Sequence, residues 1–558
     1  MNQLYYGDNL HVLRELLQHR YDGFVDLVYL DPPFNSNRNY SVLFANKSGE
    51  KSDAQIEAFE DTWQWGPQAE AEFRELLHQE NTDVAEMMEA LRSFLGENEM
   101  MAYLVMMANR LLLLHKALKP TGSLYLHCDP TASHYLKIVL DGVFGAVNFL
   151  SEVVWKRTSS HSSSKRWGPI HDVILLYAKS EEFTWNKVYQ PYDESYIDQF
   201  YRYKDENGKY TVGDLTGSGT RKGDSGKPWK GINPTAKGRH WAVPVNIIKD
   251  AAPEKNLDSL STQEKLDILD SIGLVHWPER GTMPRLKRYL RDDKGTVIQD
   301  IIVDISPVQP HAREKLGYPT QKPLALLERI IQASSNEGDI VMDPFCGCGT
   351  AVHAAQKLGR QWIGIDITHL AISLIEKRLN DAFPGIEYEV HGTPKDLGGA
   401  RDLFQRDPFQ FEWWACSLVN AQPYGGKKRG ADSGIDGLIY FEDEKNKVKK
   451  IIVQVKGGNV GVKYIRELIS VVDREKAAIG LFISLNEPTK PMITEALKAG
   501  YYESPHFAPV EKIQILSIEG LMDKTHMPHY PDMSGGSHTF RRAVKEKRKG
   551  GKQEELGV

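Results

Sequence analysis

Apolar runs cut off by turn residues recur through the first part of the chain. Phe24-Val25-Asp26-Leu27-Val28-Tyr29-Leu30 reads as a buried strand, and Asp31-Pro32-Pro33-Phe34 halts it. Phe59 to Trp63 and the acidic stretch up to about Glu97 read as helices. Met100 to Leu118 carries apolar residues at helical spacing and predicts a helix stopped by Lys119-Pro120-Thr121-Gly122. Ser123 to Asp129 then reads as a strand, and Lys137 to Phe144 as a helix closed by Gly145. Phe149 to Lys156 and Val173 to Tyr177 are two further strands. The pattern returns after a long interval. Asp339 to Asp343 is a strand, Ala351 to Ala355 opens a helix, and Gln361 to Asp366 is another strand. Such alternation is what a doubly wound sheet needs.

Two strand ends carry the chemistry. Neither proline of Asp31-Pro32-Pro33-Phe34 offers an N–H, and each fixes φ, so the turn holds its carbonyls and the Asp31 carboxylate in set directions. A carboxylate, a fixed carbonyl and an aromatic face suit a flat heterocycle bearing an exocyclic amine. The amine donates to Asp31 and the Pro32 carbonyl while Phe34 stacks on the ring. At the second strand end, Pro344-Phe345-Cys346-Gly347-Cys348-Gly349-Thr350 is a glycine turn between a strand and a helix. That arrangement lets backbone approach a nucleotide-like cofactor. Asp366 ends the next strand 23 residues after Asp343, the spacing of a ribose-binding acid.

These two stretches resemble those of the S-adenosylmethionine-dependent amino-DNA methyltransferases in their permuted (β) order. Tyr5 to Leu10 resembles the family's opening segment, and Tyr318 to Leu324 the segment before the cofactor loop. The match runs over about residues 1 to 385 and implies a Rossmann-like doubly wound α/β sheet. It further implies that Asp31, Pro32, Pro33 and Phe34 hold and activate the target amine. Asp8, Thr320, Lys322, Asp343, Phe345, Gly347, Gly349 and Asp366 are then the expected residues of the S-adenosylmethionine site. Asp-Pro-Pro-Phe favours adenine N6 over cytosine N4 in that family. Related Asn-Pro-Pro-Tyr motifs serve RNA and protein amides, but Asp at position 31 and the large insert argue against those substrates.

From 185 to 317 the periodicity breaks down. Basic and aromatic residues interleave in Arg221-Lys222-Gly223, Lys227-Pro228-Trp229-Lys230, Lys237 to Trp241 and Arg285 to Tyr289. The mixture suits a surface meeting DNA phosphates and base edges, and the resemblance makes this interval a target-recognition region. The competing reading is an insertion packed on the core. The polar loop Thr158 to Arg166 is either a solvated linker or a phosphate contact, and its place between core strands favours contact.

A third pattern starts after Pro384 to Gly399. Asp407 to Ala415 begins a helix, Ile451 to Lys456 is a strand, Tyr464 to Val472 a helix and Gly480 to Ser484 a strand. Asp436 at one strand start and Gln454 and Lys456 on the next bring three polar groups to one sheet edge. Asp436 and the Gln454 oxygen can ligate Mg²⁺, and Lys456 can orient a water. The segment from about 405 to 505 resembles the Mrr-like branch of the PD-(D/E)xK nucleases, with Glu412 matching an acid on the preceding helix. The alternative is a silent nuclease-like module that only grips DNA.

Composition narrows the class. The charged fraction of 26% and hydrophobic fraction of 41% are those of an ordinary globular chain. Four cysteines in 558 residues argue against a disulfide framework. A net charge of −6 confines phosphate contact to local basic clusters. No run approaches the ~20 apolar residues of a membrane span, so a cytoplasmic location is expected. The expected domains are a methyltransferase core of 1–184 and 318–385, a target-recognition region of 185–317 and a linker of 386–404. A restriction-endonuclease-like α/β domain of 405–525 and a basic tail of 526–558, expected to be disordered, complete the chain. Double-stranded DNA is the expected partner, with a homodimer as a candidate assembly and no membrane.

Overall fold

The computed structural model describes the chain apart from residues 1, 21, 34–38, 46–50, 61–63, 80, 159–164, 166, 252–255, 258, 280–282, 291–294, 310, 319, 425–433, 446, 537, 541 and 547–558. Over 39–45, 51–60 and 250–251 it describes backbone alone. Two compact units result, one of residues 1–186 with 299–558 and one of residues 187–298.

The larger unit contains a nine-stranded sheet. Its strands are β1 (Gln3–Tyr6), β2 (Val25–Leu30), β3 (Leu118–Cys128), β4 (Phe149–Lys156), β5 (His171–Ala178), β6 (Ile301–Ile302), β7 (Ile340–Asp343), β8 (Gln361–Asp366) and β9 (Glu389–His391). They lie in the order β6-β4-β5-β3-β2-β7-β8-β1-β9. Pairings are parallel except those of β5, which runs antiparallel to both β3 and β4. The chain order reverses between β2 and β7, whose carboxyl ends therefore open onto a shared crevice.

Alternating side chains of β2 feed two cores. Val25, Val28 and Leu30 face α1 (Asn9–His19), α2 (Glu99–Ala117) and α3 (Ser133–Phe144). Leu27 and Tyr29 face α4 (Leu324–Ser334), α5 (Thr350–Lys357) and α6 (His369–Ala382). Burial on both faces is why these strands read as continuous apolar runs. Each fully buried Val or Leu contributes about 1.5–3 kcal/mol relative to exposure. Asp26 tolerates its place in β2 because the Lys119 ammonium lies 2.8 Å from both its oxygens and the Ile340 N–H donates to it at 2.9 Å.

Several expectations need correction. Residues 51–60 form a strand paired with 39–45, so Phe59 and Glu60 are not helical, whereas Pro67–Leu77 and Thr82–Leu95 are. Lys119 to Gly122 do not separate helix from strand. β3 begins at Leu118, and an irregularity in its pairing with β2 absorbs the turn residues. The compact insert is shorter than 185–317, because β6 returns to pair with β4. The expected linker 386–404 contains β9, which is too short and polar to announce itself, and the start of α7 (Leu397–Arg406).

The C-terminal part of the larger unit has a five-stranded sheet of β10 (Gln422–Pro423), β11 (Gly437–Glu444), β12 (Lys447–Lys456), β13 (Ile479–Ser484) and β14 (Ile513–Ser517), in that order across the sheet. α8 (Pro408–Leu418) and α9 (Val462–Arg474) pack on it. β12 is its central strand, so Gln454 and Lys456 stand mid-sheet and not at a sheet edge. The tail is not free from 526 onward. Thr539 bonds both backbone groups of Tyr440, Asp532 accepts the Glu442 N–H, and Glu546 reaches His353 at 3.1 Å. Its polar side chains hid this ordering, because they bond the outer strand instead of filling a core.

The smaller unit has a four-stranded antiparallel sheet of Tyr203–Asp205, Gly208–Asp214, Val275–His276 and Arg285–Tyr289. A helix at Thr262–Ser271 carries a capping box from Ser261 and Glu264. Leu215, Trp229, Trp241, Leu266 and Leu286 make its core.

Candidate functional site

A cavity of about 360 Å³ opens at the carboxyl ends of β2 and β7. Asp8, Thr320, Lys322, Asp343, Phe345, Gly347 and Asp366 all line it, as do Asp31, Pro32 and Pro33. Residues three hundred positions apart in sequence thus meet because β2 and β7 are neighbours in the sheet. Phe34 lies outside the described residues.

Gly347 has φ +53°, and a Cβ there would come within 3.2 Å of the Tyr318 ring. The position therefore demands glycine on both conformational and steric grounds. Its N–H donates to Asp366 at 2.9 Å, and the Thr368 N–H and hydroxyl take the other oxygen at 2.9 Å each. Asp366 thus ties the turn to the end of β8 as well as lining the cavity. Burial pushes its carboxyl up to about 6, against the pull of these N–H donors. Burial also pushes Asp343 well above the carboxylate range, although the Phe345 N–H donates to it at 3.0 Å. Gly349 works differently from its expected cofactor role. It sits at φ +73° before α5, and a Cβ there would meet Ile375 at 2.8 Å, so it serves the packing of α5 on α6.

At the Asp31-Pro32-Pro33 turn, the Lys322 ammonium lies 2.6 and 2.5 Å from the two Asp31 oxygens. Lys322, expected beside the cofactor, is the partner of the expected catalytic acid. Asp8 caps α1 by accepting the Leu10 N–H at 2.7 Å and pairs with Arg110 at 2.9 Å.

Some cavity residues escaped the sequence reading. Arg110 is 6% exposed on the apolar helix α2 and joins Asp8, Asn9 and the Met106 carbonyl. A cation in the middle of an apolar helical run was the available signal. Asn9 in turn donates to the Pro344 carbonyl at 2.8 Å, linking the opening segment to the glycine turn. Met106 is buried and also lines the cavity. Tyr29 lines it too, and its hydroxyl lies 3.0 Å from His127 Nδ1.

The second candidate site lies at the end of β12. The Val455 N–H donates to Asp436 at 2.7 Å, and Lys456 Nζ stands 3.6 Å from the same carboxylate oxygen. Gln454 is 2% exposed, and its side-chain oxygen has no hydrogen-bond partner among the described residues. A buried hard oxygen without a hydrogen-bond partner, one residue before the Val455 N–H that meets Asp436, suits a cation such as Mg²⁺. Glu412 and Cys416 stand one turn apart on α8, where the Cys416 thiol is 3.5 Å from the Asp436 carbonyl. Burial, followed by the charges of Asp436 and Glu412, pushes that thiol well up, so both acids act on one spot.

In the smaller unit, part of the basic and aromatic signal is structural. Trp229 and Trp241 are 4% and 2% exposed, with indole N–H groups donating to Asp267 and the Lys227 carbonyl. Lys287 pairs with Asp205 at 2.7 Å. Arg221 and Lys222 remain exposed. In the loop 158–166, residues 159–164 and 166 lie outside the described residues.

Comparison with known proteins places this geometry. Residues 25–377 match the N6/N4 DNA methylase family model, and residues 404–502 match a restriction endonuclease model. The chain belongs to the DNA methylase family. It is similar to the Type II methyltransferase M.EcaI of Enterobacter cloacae, with 35% identity over 278 residues, 50% of this chain and 57% of that protein. It is also similar to the Type III restriction-modification enzyme StyLTI Mod subunit of Salmonella typhimurium, with 28% identity over 368 residues, 64% of this chain and 50% of that one. The chain thus spans about half the length of these curated relatives. A putative DNA modification methylase from Thermus thermophilus, solved with S-adenosyl-L-methionine, covers 71% of this chain and 100% of its own at 14% identity and a TM-score of 0.32. Strand order, and not that overlap, carries the description of the fold. Among the described residues, no helix is long and apolar enough to cross a membrane.

Proposed function

We propose that the protein transfers a methyl group from S-adenosylmethionine to an exocyclic amine of a base in double-stranded DNA, adenine N6 in preference to cytosine N4. The observation that carries this reading is the meeting of Asp31, Lys322, Asp343 and Gly347 around one cavity at the reversal point of the sheet. Asp343, Asp366 and the turn at Gly347 would hold the cofactor, which when bound supplies an electrophilic methyl on a sulfonium. The target base flips out of the duplex at a cost of a few kcal/mol. Asp31 and the Pro32 carbonyl accept the amine hydrogens and orient the nitrogen lone pair towards the methyl. As the nitrogen–carbon bond forms, the carbon–sulfur bond breaks and sulfur keeps its electron pair. The nitrogen then passes a proton to Asp31, which hands it to water, and no covalent enzyme intermediate is needed.

The C-terminal module is the second half of the proposal. Asp436 and Gln454 would hold Mg²⁺, and Lys456 would orient the attacking water, cleaving DNA that lacks the protein's own methyl mark. Presence of both modules in one chain supports a restriction-modification role. The module 405–525 and the insert would supply cleavage and target recognition respectively.

The test has two steps. Duplex DNA is methylated with labelled S-adenosylmethionine in EDTA and its nucleosides are separated. Label in N6-methyladenine is the expected result, and label in neither methylated base would overturn the reading. Unmodified and premethylated plasmids are then incubated with Mg²⁺. Cutting of the unmodified plasmid alone is expected. Cutting of the methylated one alone would reverse the logic, and cutting of neither would reduce the module to DNA binding.

A further inference from the structure

The tail is rich in lysine and arginine, yet the charge it sends inward is that of an acid. From the nuclease-like sheet, where Thr539 bonds Tyr440, the tail crosses to α6 and α5. The Ala543 N–H donates to Asp381 at 3.3 Å, and the Glu546 N–H to the Ala382 carbonyl at 2.9 Å. Glu546 Oε1 lies 3.1 Å from His353 Nε2 on α5, and Oε2 lies 3.4 Å from the Lys357 ammonium. On the other side of the ring, Arg378 Nε on α6 donates to His353 Nδ1 at 3.1 Å. The guanidinium ends the chain. Its Nη1 donates to the Cys348 carbonyl at 3.1 Å and to the Thr350 hydroxyl at 3.0 Å. Cys348 and Thr350 both line the cavity, so Arg378 grips the glycine turn from behind.

One proton arrangement satisfies every member. A guanidinium only donates, so His353 Nδ1 is bare and accepts the Arg378 Nε–H. Nε2 then carries the ring's hydrogen and donates it to the Glu546 carboxylate. Burial, followed by the Arg378 charge, holds His353 down to about 4, so the ring is neutral. Arg378 and His353 are each 3% exposed. A cation so placed is costly unless an acid balances it, and Arg378 makes no direct ion pair among the described residues. Burial opposes its charge, and the carboxylates that favour it are Glu314 and Glu546. Of these, Glu546 is bonded to it through the ring.

We propose that Glu546, acting through His353, is a positioning residue that holds Arg378 against the cofactor turn. Arg378 fixes the Cys348 carbonyl one residue from the Gly347 N–H that binds Asp366. A shift of the guanidinium therefore moves the turn and its acid together. The inference rests on this turn holding S-adenosylmethionine. Cofactor affinity is thereby tied to the docking of a tail that also bonds β11.

Calorimetry of S-adenosylmethionine binding to full-length variants tests this. Glu546→Gln keeps the side chain's size and an oxygen for the ring hydrogen while removing the charge. It is expected to raise the Kd about three- to tenfold and the KM in step, with a smaller change in kcat. Arg378→Met is expected to raise the Kd at least as much. Glu546→Gln then adds nothing in that background, because it acts through Arg378. Where Arg378→Met does not fold, His353→Gln breaks the same link and abolishes the effect of Glu546→Gln in the same way. An unchanged Kd in Glu546→Gln, with only a lowered unfolding temperature, would overturn the proposal. So would an equal effect of Glu546→Gln with and without the link. If the unaltered protein binds no S-adenosylmethionine, the cofactor reading itself falls, whereas normal binding there and in Glu546→Gln rejects the positioning role alone.

Discussion

The two candidate sites are built from the same pair of groups, an acid and a lysine at strand ends, yet they are prepared differently. Asp31 and Lys322 are 291 residues apart, in full two-oxygen contact, and lie among ten predicted residues around one cavity. Asp436 and Lys456 are twenty residues apart, 3.6 Å from each other, and the oxygen between them already accepts a backbone N–H. The first site balances the charge of Asp31 with that of Lys322. The second has a buried side-chain oxygen, that of Gln454, without a hydrogen-bond partner among the described residues.

Asp31→Ala should show the largest effect, a loss of methyl transfer on the order of 10³-fold at nearly unchanged cofactor affinity measured by calorimetry. A small loss would erase the distinction between the two sites. Lys456→Ala should reduce Mg²⁺-dependent plasmid cleavage by about 10²-fold or more while methylation of the same plasmid is retained, which sharpens the independence of the two chemistries. If methylation falls in step, the sites are not separable. Gly349→Ala forces an L-residue into φ +73° against Ile375 and should cost about 1–3 kcal/mol in thermal or urea unfolding. Cofactor affinity in that variant should change less than in Gly347→Ala, whose turn lines the cavity.

The smallest effect concerns pH. Asp366 is pushed up to about 6, and a carboxylate is the form that accepts cofactor hydroxyls. Affinity is therefore complete above that value and falls as pH drops through it, by up to about tenfold per unit. Asp366→Asn should flatten the profile. An equally steep profile in that variant would assign the titration to another group.

The patterns that exposed the methyltransferase core were local. Phe24 to Leu30 is apolar because β2 is buried on both faces, and the prolines at 32 and 33 restrict the turn that follows Asp31. The glycine turn and the spacing of Asp343 and Asp366 likewise lie in short segments whose backbone demands are visible one residue at a time. The same logic misled in the insert. Trp229 and Trp241 stand among cations, as nucleic-acid contacts do, yet they fill the core of the small unit together with its leucines and isoleucines. β9 and the ordered tail to Glu546 were illegible because a three-residue strand with one apolar position, and a tail held by polar bonds such as Glu546 to His353, leave no hydrophobic period.

By itself, the sequence determined the buried apolar strands β2, β7 and β8, the residue types at the Asp31 and Gly347 turns that follow two of them, and the order of its modules, since each follows from backbone restriction or apolar periodicity over a few residues. Only the tertiary structure decided what those residues face. Lys322 lies on Asp31, Gly349 lies against Ile375, and Tyr29 lies on His127 because β2 neighbours both β3 and β7. Strand order is set by the burial of whole faces, and no short stretch of residues carries that information.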